Sequence, residues 1–151
     1  MSSKGRLSTI SFLIASTLLL PRLAHAECFV QNAKAVMSEG WAELLFSGRV
    51  VEIVRTAPSG YRATFDVDRV WKGTVTHRID LYVSEIAPEM PVFRVTNRYV
   101  VVANRLIDPI ARETVGLRPT EPIAFAPAQC SGSWGVDFEN DLGLGYPPKD
   151  P

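Results

Sequence analysis

Histidine is scarce in this 151-residue sequence, which contains two. Once the N-terminal segment described below is set aside, His77 alone remains, and a zinc site built from several histidines is excluded. A serine–histidine–acid triad would need Ser131 or Ser133 as nucleophile and Asp66 or Asp80 as orienting acid. The serines fit no Gly-x-Ser-x-Gly pattern, and His77 follows a turn, where a surface position is expected. The sequence predicts no enzyme and no cofactor; a weak hydrolase using His77 is the enzyme alternative.

Basic runs and membrane-length apolar runs are also missing. Lysine and arginine number 16, against 16 aspartates and glutamates, and no basic stripe of the kind that binds nucleic acid is present. The apolar run Ile10–Leu20 has eleven residues, whereas crossing a bilayer takes about 20. We therefore expect no nucleic-acid partner and no stable membrane insertion.

The first 26 residues have the three regions of a secretory signal peptide. Lys4 and Arg6 provide the positive start, and Ile10–Leu20 provides the apolar core. Ala24–Ala26 has the small-x-small pattern that precedes cleavage. The sequence therefore predicts an exported protein, periplasmic or extracellular.

Cleavage after Ala26 would leave 125 residues, with 13 basic and 16 acidic side chains. That length suffices for one domain with its own core. We expect the domain to span residues 27–143, followed by a flexible proline-rich tail over residues 144–151. The mildly acidic balance again disfavours nucleic-acid binding.

The two cysteines, Cys28 and Cys130, both fall after the predicted cleavage point. In an oxidising compartment, an even number of cysteines favours one intramolecular disulfide. It would close a loop of about a hundred residues, which the chain-entropy model values at up to about 4–5 kcal/mol. An intermolecular bridge and two free thiols are the alternatives.

The region Tyr61–Val83 is the clearest structural signal, because apolar and polar residues alternate over two strands joined at Lys72–Gly73. Arg69 interrupts the first strand, where a bulge or a stronger twist is expected. The residues predicted to face inward are Tyr61, Ala63, Phe65, Val67, Trp71, Ile79, Leu81 and Val83.

Five further elements flank this hairpin. The sequence predicts helical spacing over Phe29–Glu39, strands over Phe46–Val54 (bent at Gly48), Arg98–Asn104 and Ile123–Ala128, and a helix over Trp134–Leu142 that ends at Gly143. Long connections are expected over Ile86–Thr96 and Leu106–Pro122, with breaks at prolines that include Pro109. These elements predict a mainly β, five-stranded OB-like Greek-key barrel with short flanking helices. An immunoglobulin-like sandwich would need about seven strands.

The order of these features resembles the netrin-module family, which includes the tissue inhibitors of metalloproteinases. The matching pieces are Cys28, FSGRVVEI (Phe46–Ile53), FDVDRVWKG (Phe65–Gly73), RYVVVA (Arg98–Ala103) and QCSGS (Gln129–Ser133). The resemblance implies a five-stranded OB barrel stapled by disulfides, with the amino terminus clamped onto it.

The inhibitors of that family chelate a protease's zinc through a mature chain that starts Cys-x-Cys. Cys28 matches the second cysteine of that motif, but the first would fall at Ala26, and Glu85–Thr96 lacks the expected bridging partner of that first cysteine. The zinc-chelating group is therefore missing, and Glu27 would carry the amine instead.

The resemblance thus implies a binding module for an unidentified protein partner, with a protease as one candidate. Its expected partner surface comprises Glu27, Cys28, Phe29, Val30, Ser131, Gly132, Ser133 and Trp134. The alternatives are an envelope-associated structural protein and a genuine protease inhibitor that acts through the Glu27–Cys28 terminus.

Two further sets of residues have competing interpretations. Asp66, Asp68 and Asp80 could bind a cation, but pairing with Arg62, Arg69 and Arg78 across strands explains them better, and no metal site is predicted. Trp41, Trp71 and Trp134 could form an aromatic platform, although core packing is the preferred interpretation.

Overall fold

The computed structural model describes residues 37–38, 42–86, 90–128 and 136–150. Within them, five strands form a closed barrel in the order β1-β2-β3-β5-β4. The elements are β1 (Leu44–Ala57), β2 (Gly60–Lys72), β3 (Arg78–Ser84), β4 (Arg98–Arg105), α1 (Pro109–Thr114), β5 (Phe125–Pro127) and α2 (Val136–Leu142). The predicted fold class, a mainly β OB-like barrel with short flanking helices, is confirmed. Of the predicted helix over residues 29–39, only Met37 and Ser38 are described, and both are helical.

β1 pairs with two neighbouring strands, and its pairing is irregular at Gly48. Its first half pairs with β4, and its whole length pairs with β2. Ser47 pairs with Arg69 of β2, and the next residue, Gly48, pairs with Val67. Asp68 therefore has no partner in β1, and the register shifts at this point. A Cβ at position 48 would lie 2.5 Å from the carbonyl oxygen of Asp66, so the close approach of the two strands requires glycine. The predicted bend at Gly48 is confirmed.

The barrel interior is built around four aromatic rings that meet edge to face. Phe65 lies 5.7 Å from Phe46, 5.0 Å from Phe93 and 6.4 Å from Tyr99, measured between ring centroids. Perpendicular aromatic pairs of this kind add to the stabilisation that burial provides. Phe93 comes from the connection between β3 and β4, which was predicted to be a surface connection, yet its ring is buried in the core.

The bulge in β2 changes which face Trp71 occupies. Asp68 and Arg69 are both exposed, so the alternation slips by one residue and Val70 takes the inward position. Trp71 is buried on the other side of the sheet, against Leu45 and two valines of β4. The prediction that Trp71 is buried was right, but the prediction that it shares a face with Phe65 was wrong.

The connection from β4 to β5 contains a helix that the sequence analysis missed. Pro109 was interpreted as a break, yet it occupies the first turn of α1, where a missing N–H costs nothing. Asp108 caps this helix, its Oδ2 accepting a hydrogen bond from Ala111 N at 2.9 Å. β5 is shorter than predicted, covering Phe125–Pro127 only.

Arg98 fastens α2 to the barrel. Its guanidinium donates two 2.6 Å hydrogen bonds to Glu139, one of 2.9 Å to Asp68 and one of 2.9 Å to the buried Ser47. The bidentate contact with Arg98 lowers the pKa of Glu139 below its ordinary value, and Glu139 in turn raises the pKa of Arg98.

The segment after α2, which the sequence predicts to be a flexible tail, makes backbone hydrogen bonds with the barrel among the residues that the structure describes. Tyr146 and Val70 exchange two backbone hydrogen bonds of 2.8 Å, and Lys149 N donates to Val75 O at 2.8 Å. The segment therefore lies along the barrel. Neither described helix is long and apolar enough to cross a membrane.

Candidate functional site

The surface that the family resemblance singled out lies outside the described residues. This holds for Glu27–Val30, for Ser131–Trp134 and for both cysteines of the predicted disulfide. Those assignments stay predictions. The described residues offer two other surfaces, the outer face of β2 and β3 and a cleft beside it.

The outer face of β2 and β3 carries the three aspartates that competed as a cation site, and each has an arginine partner. Asp66 lies 2.8 Å from Arg78. Asp68 lies 2.9 Å from Arg98, and Asp80 lies 3.7 Å from Arg62. Within the described chain, no three acidic, histidine or cysteine side chains gather to hold a metal ion. The contacts support charge pairing, with Arg98 taking the place expected of Arg69.

His77 lies at the surface, as the turn before it predicted. Its Nε2 is 3.2 Å from Asp150 Oδ1 in the tail, a partner that the proposed triad did not include. Asp66, one proposed orienting acid, accepts from Arg78 at 2.8 Å. Asp80, the other, accepts a 2.6 Å hydrogen bond from Thr64. Both acids are thus engaged elsewhere.

A cleft of about 490 Å³ lies between the outer side of β3 and helix α1; we call it the β3–α1 cleft. Ligand sites in proteins commonly enclose about 300–1,000 Å³. In OB barrels the β2–β3 face and the loop between β4 and β5 hold ligands, and α1 belongs to that loop. The lining residues are Tyr82, Ser84, Ile86, Met90, Leu106, Asp108, Ile110, Ala111, Thr114, Val115 and Ala126.

The wall formed by α1 is held in place by a small core of its own and by one arginine. Val115 and Leu117 are buried against Tyr82 of β3 and Leu106. The Arg112 guanidinium donates to four backbone carbonyls of the same loop, those of Leu106, Arg118, Glu121 and Pro122, at 3.0–3.4 Å. A side chain that satisfies this many carbonyls fixes the loop that carries α1.

Three polar side chains at the cleft take part in local hydrogen bonds. Thr114 Oγ1 donates to Ile110 O at 2.8 Å, and Ser84 Oγ accepts from Ile86 N at 3.4 Å. Asp108 uses one carboxylate oxygen to cap α1. Among the described residues, these contacts give neither hydroxyl a basic partner. The cleft is suited to binding apolar groups.

Two isoleucines flank the cleft and remain largely in water. The exposed fraction is 68% for Ile86, next to β3, and 74% for Ile110, on α1. Ile107, just before α1, is exposed as well. Exposed apolar side chains that cluster beside a concave surface mark interaction sites.

Sequence reasoning missed this cleft, although one signal was available. Ile107 and Ile110 surround an Asp-Pro pair, which is a common start of a helix, and isoleucines at such a start need a surface to cover them. The other lining residues come from three separate parts of the chain, and only the folded barrel brings them together.

No protein-family model matches this sequence, and no curated protein matches it. The netrin-like resemblance therefore stays an interpretation of the residues quoted for it, while the barrel fold stands on the strand pairing.

Proposed function

We propose that this chain is an exported binding module whose β3–α1 cleft takes apolar side chains from a protein partner. The observation that carries the proposal is the apolar cleft of about 490 Å³ flanked by two largely exposed isoleucines. Covering one isoleucine contributes about 1.5–3 kcal/mol, so this surface alone can supply a useful share of a binding energy.

A protein partner fits the cleft better than a small molecule does. A small molecule inside the cavity would leave the outer parts of Ile86 and Ile110 in water, whereas a protein surface can cover the cavity and both side chains together. Asp108 lines the cleft and Glu113 flanks Ile110 on α1, so a basic rim on the partner would be complementary in charge.

Export and a protease as partner are parts of the proposal supported by the sequence. The signal-peptide pattern of residues 1–26 supports export, and the resemblance to the metalloproteinase inhibitors supports a protease. The intact mass of the exported protein, with and without reduction and alkylation, tests the first part. A chain that starts at Glu27 without free thiols is expected; retention of Met1 or two free thiols would contradict it.

The cleft itself is tested by selecting peptides from a random displayed library on the immobilised protein. The selected peptides are then titrated against the Ile110→Lys variant and against a matched control, Ile123→Lys. Ile123 is 70% exposed but does not line this cleft.

We expect a peptide set with apolar residues near a lysine or arginine, losing at least tenfold in affinity on Ile110→Lys and little on Ile123→Lys. Lysine is a good helix former, so α1 should persist in the first variant. Equal affinity for wild type and Ile110→Lys would reject the cleft as the binding surface.

A further inference from the structure

β2 loses its neighbour on one edge before it ends. Pairing with β3 stops at Asp66 and Arg78, while pairing with β1 on the opposite edge continues to Lys72. An unpaired strand edge presents N–H and C=O groups that can accept another strand. In this structure the edge is filled by the chain's own residues 145–150, which we call the tail segment.

The tail segment contacts this end of the barrel through two isolated bridges, an antiparallel one at Val70 in β2 and a parallel one between Lys149 and Thr76 in the loop after β2. Tyr146 and Val70 form an antiparallel bridge with hydrogen bonds of 2.8 Å in both directions, and Lys149 N donates to Val75 O at 2.8 Å. The intervening Pro147 and Pro148 have no N–H to donate and favour an extended backbone. A segment that is already extended loses less conformational entropy when it binds.

Side chains add specificity to this pairing. The Tyr146 hydroxyl donates to Gly73 O at 2.6 Å, which places the ring at the loop after β2. Trp71 Nε1 donates to Gly143 O at 3.0 Å, just before the tail segment. These contacts therefore recognise a tyrosine side chain and the extended backbone around it.

We infer that the end of β2 at Val70, together with the loop that follows it to Thr76, is a second binding site, which takes an extended Gly-Tyr-Pro-Pro segment of a partner protein when the tail segment leaves. The tail is connected in a way that permits this. Leu144 is 87% exposed, and a Cβ at Gly143 would meet no atom within 4 Å, so both side-chain positions of the connection to α2 face open space, although Gly143 O accepts the Trp71 hydrogen bond. The tail thus acts as an internal competitor for its own site.

A substitution at Gly145 can displace the tail segment from the site. Its φ is +60°, and a Cβ there would lie 2.7 Å from Arg69 Cγ and 2.8 Å from the carbonyl oxygen of Val70. A β-branched residue is both strained at this φ and too large for the space. Gly145→Val should therefore release the tail segment of the full chain.

The test titrates a fluorescent peptide with the sequence of residues 143–150 against full-length proteins and follows its anisotropy. In the wild type the attached tail competes at an effective concentration on the order of millimolar, so the peptide binds weakly. We expect the Gly145→Val chain to bind the peptide at least tenfold more tightly than the wild type does. The Leu144→Ala chain should behave like the wild type.

Two peptide variants test the chemistry of the segment. Peptides carrying Tyr146→Ala or Gly145→Val should bind the Gly145→Val chain at least tenfold more weakly than the parent peptide. Equal binding of all three peptides, or no gain for the Gly145→Val chain over the wild type, would overturn the inference.

A milder variant keeps the test decisive if Gly145→Val fails to fold. Tyr146→Phe removes only the hydroxyl bond to Gly73 O, worth about 1 kcal/mol, and should improve peptide binding by about fivefold. The site shares no residue with the β3–α1 cleft, so Ile110→Lys should leave peptide binding unchanged. Failure of one proposal is thereby separated from failure of the other.

Discussion

The outer face of β2 and β3 and the β3–α1 cleft lie side by side on one barrel but differ in chemistry. On the face, Arg62 bridges Glu52 and Asp80, and Arg78 holds Asp66. A partner that used these charges would first have to break contacts that the chain already makes. The cleft presents apolar surface for which water is the competitor, so covering it releases free energy. Of these two surfaces, the more charged one is therefore the less suitable for binding.

Removing an aromatic ring from the barrel interior should have the largest effect on stability. Phe65 is fully buried and contacts three other aromatic rings. We expect Phe65→Ala to lower the free energy of unfolding by about 3–5 kcal/mol, because it leaves a cavity in the core. Urea unfolding measures this, with the exposed Val92→Ala as control. A loss under about 1 kcal/mol would show that the rings do not hold the barrel together.

The Arg98 contact should matter more than the ion pairs of the charged face. Glu139 has a side chain only 16% exposed, so Arg98→Ala leaves a carboxylate and the buried Ser47 without this partner. Because Arg98 is itself 40% exposed, we expect a loss of about 2 kcal/mol rather than the 3–5 kcal/mol of a fully buried pair. Arg78→Ala, in an exposed pair, should cost about 0.5 kcal/mol. Equal losses of unfolding free energy for Arg98→Ala and Arg78→Ala would show that the Arg98 contact stabilises the protein no more than an exposed ion pair does.

The same contact should make stability depend on acid. Arg98 lowers the pKa of Glu139 in the folded protein below its ordinary value of 4.5. The contact therefore stabilises the protein fully above that ordinary value, and the stabilisation is lost as the pH falls through the lower, folded-state pKa. Urea unfolding between pH 7 and pH 3 should show a smaller acid-induced loss in Glu139→Gln than in the wild type. Identical pH profiles would contradict the assignment.

The smallest expected effect on stability belongs to the residue with the largest expected effect on binding. Ile110 is largely exposed, and lysine suits a helix, so Ile110→Lys should change the free energy of unfolding by under about 0.5 kcal/mol. Thermal unfolding measures this change. A loss above about 1.5 kcal/mol would mean that Ile110 belongs to the core of the loop rather than to a binding surface.

The sequence predicted the barrel because its strands carry a local signal. Alternation of apolar and polar residues located β2 and β3, and an apolar stretch located the doubly buried β4. The positive φ of Gly73 and the exposed pair Asp68–Arg69 agree with the predicted reversal and bulge. The consequence of that bulge for Trp71 could not be predicted, because it depends on which residue of β2 is left without a partner in β1.

Other features depend on contacts between distant parts of the chain. Phe93 enters the core from a connection whose prolines indicated only a surface loop. Pro109 could equally end or begin a helix, and the cap by Asp108 decided for a beginning. Tyr146 looked like part of a proline-rich tail, and its pairing with Val70 depends on an edge left open by the shorter β3. The cleft depends on the helix that begins at Pro109, and its lining residues come from separate parts of the chain that only the folded barrel brings together.

The most direct test of the cleft follows isoleucine methyl groups by NMR while a library-selected peptide is added to the full-length protein. We expect the methyl signals of Ile86 and Ile110 to shift together and to saturate, while that of Ile123 stays in place. Saturable binding that leaves the methyl signals of Ile86 and Ile110 unchanged would contradict the β3–α1 cleft as the binding surface, whether or not the signal of Ile123 shifts.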